Sequence, residues 1–313
     1  MIMQVSNLTK TFTVSGKKQI AVDKVNLSIK RGECLGLIGE SGSGKSTTAN
    51  LIAGLLKPDW GSIVFNSSEF VKASAKDLRI ARKEMQMVFQ NPQESFNPRM
   101  KLIGAISEPL IYQKKYKKSE IEQLVYGTLE RVGLKGEYAA KYAWEISGGE
   151  CQRAAIARAI IGNPKLILCD EITSALDVSV QAQIISLLHQ LKEETDMSFL
   201  FISHDLAIVS SICDKVAVMY KGQIMESGDT LSLINNPLHP YTRDLIFNAA
   251  KPGEKRIEKV SDCNGMINGC KYYEFCNISE KQCRENPPEE VNMNGHIICC
   301  SKCSHSNLPL ALS

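Results

Sequence analysis

The chain has no stretch approaching the roughly 18 uninterrupted apolar residues of a membrane-spanning helix, and its opening, "MIMQVSNLTK", lacks the apolar core of a signal peptide. Both absences predict a chain made and kept in the cytoplasm. An excess of one charge is missing too: 37 Lys and Arg against 34 Asp and Glu leave a net charge of +3, which calls for no nucleic acid. The one locally basic run, "QKKYKKSE" at 113–120, reads as a solvated helix end. Cysteine is scarce over most of the length, with four of 11 (Cys34, Cys151, Cys169 and Cys213) in the first 262 residues. The other seven lie between 263 and 303, and in a reducing compartment such a cluster suggests metal before disulfides. At 313 residues, 43% hydrophobic and 23% charged, the composition excludes a disordered or fibrous chain and leaves room for one large domain with an appendage.

"ECLGLIGESGSGKSTTANLIAGLL" (33–56) passes from a buried-strand run through a glycine-rich turn into a helix. Its centre is Gly39-x4-Gly44-Lys45-Ser46, the P-loop pattern in the strand-loop-helix setting it requires. Glycines let successive backbone N–H groups turn inward on a phosphate, and the helix N-terminus adds partial positive charge. Lys45 is expected to reach the β and γ phosphates, and the Ser46 hydroxyl to bind Mg²⁺. Thr47 stands where a dinucleotide fingerprint needs its last glycine, which disfavours that reading.

The partner carboxylates come from "KLILCDEITSALD" (165–177), a buried-strand run ending in Asp170 and Glu171. Asp170 can hold Mg²⁺ through water, leaving Glu171 as general base for the attacking water. Between the two halves, "EISGGECQRAAIARAII" (145–161) places a Ser-Gly-Gly turn at a second helix N-terminus, implying a second phosphate contact.

This stretch resembles the signature motif of the ATP-binding cassette family, and the remaining motifs follow the family's order over about residues 1–250. Phe12 in "LTKTF" matches the adenine-stacking aromatic, Gln90 in "MQMVFQNP" the Q-loop glutamine, Asp177 in "SALD" the D-loop, and His204 in "FLFISHD" the switch histidine. His189, in "IISLLHQLKEE", matches nothing and reads as a surface position. The resemblance implies an α/β P-loop NTPase cassette over 1–248, with a RecA-like core, an antiparallel β subdomain and a helical subdomain at about 93–164. It implies that Gly39, Ser41, Gly42, Gly44, Lys45, Ser46 and Thr47 bind ATP, that Ser46, Gln90 and Asp170 serve Mg²⁺, and that Glu171, His204 and Gln90 carry hydrolysis. Ser147, Gly148, Gly149 and Glu150 would act on the ATP of a partner cassette, since two cassettes pair head to tail. Ile146, Glu150, Cys151 and Ile172 depart from the family pattern, and Ile172 replaces a proline that would have fixed φ after the acidic pair.

"MQMVFQNPQESFNPRM", "CDEITSALDVSVQAQIISLL" and "NPLHPYTRDLI" are similar to the oligopeptide and dipeptide importer branch, which also includes nickel and metallophore importers. "NPRM" and "LCDE" are similar to the second of its two unlike ATPases. That branch implies a second cassette subunit, unlike or identical, two membrane-spanning permease subunits, and indirectly an extracytoplasmic binding protein. It places the chain peripherally on the cytoplasmic face of the membrane. Alternatives are a nickel or metal-chelate importer ATPase, and a redox-sensing regulatory cassette without transport drive.

A charged linker, "AAKPGEKRIEKVSD" (249–262), leads to a cysteine-rich extension. Four thiolates suit an iron–sulfur cluster or Zn²⁺, but the five- and six-residue gaps from Cys270 to Cys276 to Cys283 lack the short knuckles of structural zinc. The spacing resembles extensions of this branch that bind a [4Fe–4S] cluster, and the family's Gly-His landmark selects Cys300 over Cys299 as fourth ligand. Cys263 and Cys303 read as bystanders. No route from this tail to the ATP residues is legible, so a structural staple is expected before a sensor.

Overall fold

The structure, a computed structural model, describes residues 1–71, 73–250, 269–293 and 295–302. Most of the charged linker, together with Cys263 and Cys303, lies outside the described residues. The chain opens with an antiparallel hairpin, β1 (Met3–Val14) and β2 (Lys17–Ile29), followed by β3 (Cys34–Ile38) and α1 (Lys45–Ile52). β4 (Trp60–Phe65) and β5 (Ser68–Glu69) join the hairpin in a four-stranded antiparallel sheet of order β2-β1-β4-β5. Next come α2 (Ala75–Glu84) and β6 (Met85–Val88), then a helical insertion of α3 (Leu102–Gln113), α4 (Lys118–Arg131) and α5 (Gly148–Ile160).

The chain returns as β7 (Leu166–Asp170), α6 (Val178–Glu194), β8 (Ser198–Ser203) and α7 (Leu206–Ile212). A tight hairpin of β9 (Lys215–Tyr220) and β10 (Gln223–Asp229) leads into α8 (Thr230–Asn235) and α9 (Pro240–Ala250). The described tail holds α10 (Lys281–Glu285), β11 (Glu290–Met293) and β12 (His296–Cys299). Residues 114–120 of the basic run are exposed and His189 is half-buried. Among the described residues no helix is long and apolar enough to cross a membrane.

The larger sheet has the order β11-β12-β10-β9-β3-β8-β7-β6, and its five strands from β9 to β6 are mutually parallel. Strands covered on both faces read as continuous apolar runs, and β3, β7 and β8 are buried at every position. Alternate side chains serve two cores. Leu35, Leu37, Leu166, Leu168, Leu200 and Ile202 pack towards the antiparallel sheet. Ile38, Ile167, Cys169, Phe199 and Phe201 pack into the core shared with the helices.

The cysteine-rich tail continues the main sheet. β12 pairs antiparallel with β10, Ile298 opposite Glu226, and β11 closes the edge. An edge strand offers unpaired backbone groups to any strand that fits, and β12 takes them. The junction rests on Glu226, whose fully buried carboxylate accepts the N–H groups of Leu238 (2.7 Å) and His239 (2.9 Å) and meets His296 Nε2 at 2.6 Å. One side chain therefore joins β10, the loop before α9, and β12. His239 is buried beside it, its Nδ1 accepting the Tyr241 N–H at 3.0 Å, and burial pulls its pKa down to about 4 against the opposing pull of Glu226.

Removing a buried carboxylate with several partners leaves the partners unsatisfied. Glu226→Ala is expected to lower unfolding free energy by about 3 kcal/mol in urea denaturation, with protease sensitivity gained first in the tail. A stability within about 0.5 kcal/mol of wild type would contradict this role for Glu226.

Candidate functional site

The glycine-rich turn after β3 is confined on two sides. A Cβ on Gly39 (φ 152°) would lie 2.1 Å from the Met219 carbonyl oxygen in β9, and one on Gly44 (φ 107°) would lie 2.3 Å from that of Ala21 in β2. Both positions combine a left-handed backbone with a wall of main chain, so only glycine fits. Ser41 and Gly42 (φ 78°) form the crest of the turn, and Lys45, Ser46 and Thr47 begin α1. Phe12 stands on β1 opposite Gln19 of β2, on the same hairpin that supplies Ala21.

Lys45 is buried, and its ammonium donates to the carbonyls of Gly39 and Glu40, each at 2.8 Å. Burial draws its pKa down, opposed by the charges of Glu171, Asp170 and Glu40. Ser46 Oγ donates to Asp170 Oδ1 at 3.0 Å. Burial pushes the Asp170 carboxyl up, and the Ser46 hydrogen bond works against it. A hydroxyl and a buried carboxylate facing each other are hard oxygen donors, the set that suits Mg²⁺.

Glu171 leaves β7 with φ 47°, uncommon for a residue with a side chain, and its N–H donates to Ile202 O at 3.0 Å. Ile172, in place of the expected proline, is 2% exposed and anchors this bend in the core. Gln90, just beyond β6, donates through Nε2 to Glu171 Oε2 at 3.0 Å and to Ser174 Oγ at 3.3 Å. His204, just beyond β8, places Nδ1 3.8 Å from Glu171 Oε1. The convergence follows from topology: β6, β7 and β8 are adjacent and parallel, so residues following each strand emerge on one edge, beside the turn that follows β3.

The Ser-Gly-Gly turn forms a separate group. Ser147 caps α5 by accepting the Glu150 N–H at 3.3 Å, while the Glu150 carboxylate accepts the Ser147 N–H at 2.8 Å. Glu150 also accepts the Tyr138 hydroxyl, the main cause of its lowered pKa, so this carboxylate is engaged within its own chain. A Cβ on Gly149 would meet Val180 Cγ1 at 2.6 Å, and Gly148 lies against Leu176. Asp177 caps α6 by accepting the Val180 N–H at 2.9 Å, and its pKa is lowered chiefly by the Ser179 hydroxyl. None of the contacts described for this group reaches the phosphate turn of the same chain.

In the tail, Cys270, Cys276, Cys283 and Cys300 line one pocket, with His239 of the core in its wall. Cys299 Sγ instead approaches the Pro288 carbonyl at 3.6 Å. Burial pushes the Cys270 thiol up to about 12, with smaller contributions from Cys300 and Cys276. Among the described residues no three His, Cys, Asp or Glu side chains converge as a single metal ion requires. Four cysteine sulfurs in the lining of one pocket are soft donors of the kind that either an iron–sulfur cluster or Zn²⁺ takes.

Two residues that sequence reading missed lie beside the phosphate turn. The Tyr241 hydroxyl accepts the Glu40 N–H at 3.1 Å, and Lys271 reaches Asp23 Oδ2 at 2.8 Å and the Lys221 carbonyl at 2.9 Å. Tyr241 was visible only as part of "NPLHPYTRDLI", and nothing local in that stretch points to a loop some 200 residues earlier.

Comparison with known proteins gives the family of the chain. The family described as "ABC transporter" matches residues 22–174, and "Oligopeptide/dipeptide transporter, C-terminal region" matches residues 225–283. The oligopeptide transport ATP-binding protein OppF of Haemophilus influenzae is 39% identical over 96% of this chain and 97% of its own. Its counterpart AppF of Bacillus subtilis is 42% identical, over 90% of this chain and 88% of its own. Among solved structures, the dimeric ATP-binding cassette MJ0796 in a post-hydrolysis state with ADP and phosphate aligns with a TM-score of 0.67 and 29% identity. That alignment covers 73% of this chain and 98% of the other. With its phosphate turn, acidic pair and sheet order in place and its likeness covering most of the length of these relatives, the chain belongs to the ABC transporter family, among the ATP-binding subunits of oligopeptide and dipeptide transporters.

Proposed function

We propose that this chain is the ATP-hydrolysing subunit of a membrane importer for oligopeptides or dipeptides, acting from the cytoplasmic face. The observation that carries the reading is the meeting of Gln90, Glu171 and His204 beside the Lys45, Ser46 and Asp170 cluster. Lys45 turns from the Gly39 and Glu40 carbonyls to the β and γ phosphates, which compete for its ammonium. Ser46, with Asp170 and Gln90 beside it, would hold Mg²⁺, which would supply neutralisation of the phosphate charge. Phe12 stacks on adenine.

Glu171 takes the proton of a water whose oxygen bonds to the γ phosphorus as the bond to the β-γ bridging oxygen breaks, giving ADP and phosphate. Gln90, itself bonded to Ser174, holds one oxygen of the Glu171 carboxylate, and His204, nearest the other, orients the water and contacts the γ phosphate. The Ser147–Gly149 turn serves the ATP of a partner cassette, which accounts for its separation from the phosphate turn of its own chain. MJ0796, a dimer with ADP and phosphate, supports this pairing. Closure of the pair on ATP and its reopening after hydrolysis pass movement to two permease subunits.

The named relatives are oligopeptide transport proteins and the matched C-terminal region is that of oligopeptide/dipeptide transporters, which favours peptide over nickel cargo. A purely regulatory cassette would not need Gln90, Glu171 and His204 assembled together. In the assembled importer, Glu171→Gln is expected to lower ATP turnover at least about 100-fold while leaving nucleotide binding intact. Turnover equal to wild type would remove Glu171 as the base.

The pocket of Cys270, Cys276, Cys283 and Cys300 is the proposed seat of a [4Fe–4S] cluster, which would cross-link a tail whose own buried cluster, among the described residues, is Ile298 and Cys300. Anaerobic purification is expected to yield about four iron and four sulfide per chain, lost in Cys276→Ser. Stoichiometric zinc without iron would overturn the assignment.

A further inference from the structure

The Gly39–Glu40 peptide is gripped on both edges. Its carbonyl accepts from Lys45 Nζ at 2.8 Å, and its N–H donates to the Tyr241 hydroxyl at 3.1 Å. On the reading of Lys45 as a phosphate ligand, the first grip is released whenever ATP binds, because the ammonium turns to the phosphates. The second remains, and it alone then fixes the plane of the peptide at the entrance to the turn.

Tyr241 is 1% exposed, and its ring is held by two others. Tyr220, at the end of β9, lies 4.5 Å away centroid to centroid. Tyr272, from the segment between Cys270 and Cys276, lies 5.3 Å from Tyr241 and meets Tyr220 edge-on at 5.3 Å. Such tilted and edge-on arrangements are the favoured ones for aromatic rings. The neighbouring residue acts on the other flank of the turn. Lys271 holds Asp23 and the Lys221 carbonyl, Asp23 N–H donates to Gly222 O at 2.8 Å, and Gly222 N–H donates to Ser43 O at 2.8 Å. Two consecutive residues of the cysteine-rich segment thus brace opposite flanks of one loop.

We infer that Tyr241 is a positioning residue of the nucleotide site, and that the cysteine-rich segment sets nucleotide affinity through Tyr272 and Lys271 by holding it in place. The inference rests on the ATP-site reading above, and the test separates the two. MgATP affinity and steady-state hydrolysis are measured on the full chain for wild type, Lys45→Ala, Tyr241→Phe, Tyr272→Phe and Tyr272→Leu, with thermal midpoints as the control for folding.

Loss of one neutral hydrogen bond is expected to raise Kd and KM for ATP about fivefold in Tyr241→Phe, with kcat within about twofold and the thermal midpoint unchanged. Tyr272→Leu is expected to weaken ATP binding similarly, and Tyr272→Phe, which keeps the ring, to restore affinity to near the wild-type value. If Tyr241→Phe and Tyr272→Leu bind ATP as wild type does while Lys45→Ala has lost binding, the positioning role is overturned and the ATP site stands. A fall in kcat and thermal midpoint with KM unchanged marks a merely structural role and overturns it equally. Unaltered ATP binding in Lys45→Ala would overturn the ATP-site reading itself.

Discussion

Two carbonyl oxygens, of Met219 in β9 and Ala21 in β2, close on the glycine-rich turn from opposite sides. The turn passes between the main sheet and the antiparallel sheet, and each oxygen occupies the space that a Cβ at 39 or 44 would need. This constraint makes the turn rigid and brings its N–H groups and the start of α1 to one place. It also places the mouth of the turn on the edge where β6, β7 and β8 end, which is where Gln90, Glu171 and His204 emerge. The burial that shifts Lys45 and Asp170 in opposite directions is a consequence of the same closeness, since a cation and an anion are both drawn out of water.

The tail depends on the core in a way its composition conceals. Among the described residues its hairpin buries little apolar surface by itself, with Ile298 and Cys300 the buried members of its own cluster. It adds instead to the edge of β10, and the buried Glu226 carboxylate accepts two main-chain N–H groups and His296 where the three segments meet. A buried carboxylate is tolerated when its lone pairs are filled, and here the filling comes from segments distant in sequence. The same docking carries Lys271 and Tyr272 to the flanks of the phosphate turn.

The phosphate turn, the acidic pair and the buried parallel strands were legible because each is written in a short stretch: glycine where φ is positive, unbroken apolar runs where both faces are covered, a carboxylate pair at a strand end. The roles of Gln90 and His204 came only from their order along the chain, since a lone glutamine or histidine carries no local signal. Glu150 occupies a signature position, and the structure adds what position alone does not give: its carboxylate closes a capping box with Ser147 and takes the Tyr138 hydroxyl.

By itself the sequence determined the class of chemistry and the fold that carries it, because local geometry and periodicity depend on near neighbours. The tertiary structure alone decided which distant groups meet. It placed Cys300 in the lining of one pocket with Cys270, Cys276 and Cys283, while Cys299 Sγ approaches the Pro288 carbonyl at 3.6 Å. It also brought Tyr241 to Glu40, and Lys271 to Asp23, across more than 200 residues. Contacts at such separation arise from sheet order and edge pairing, which no short stretch of sequence encodes.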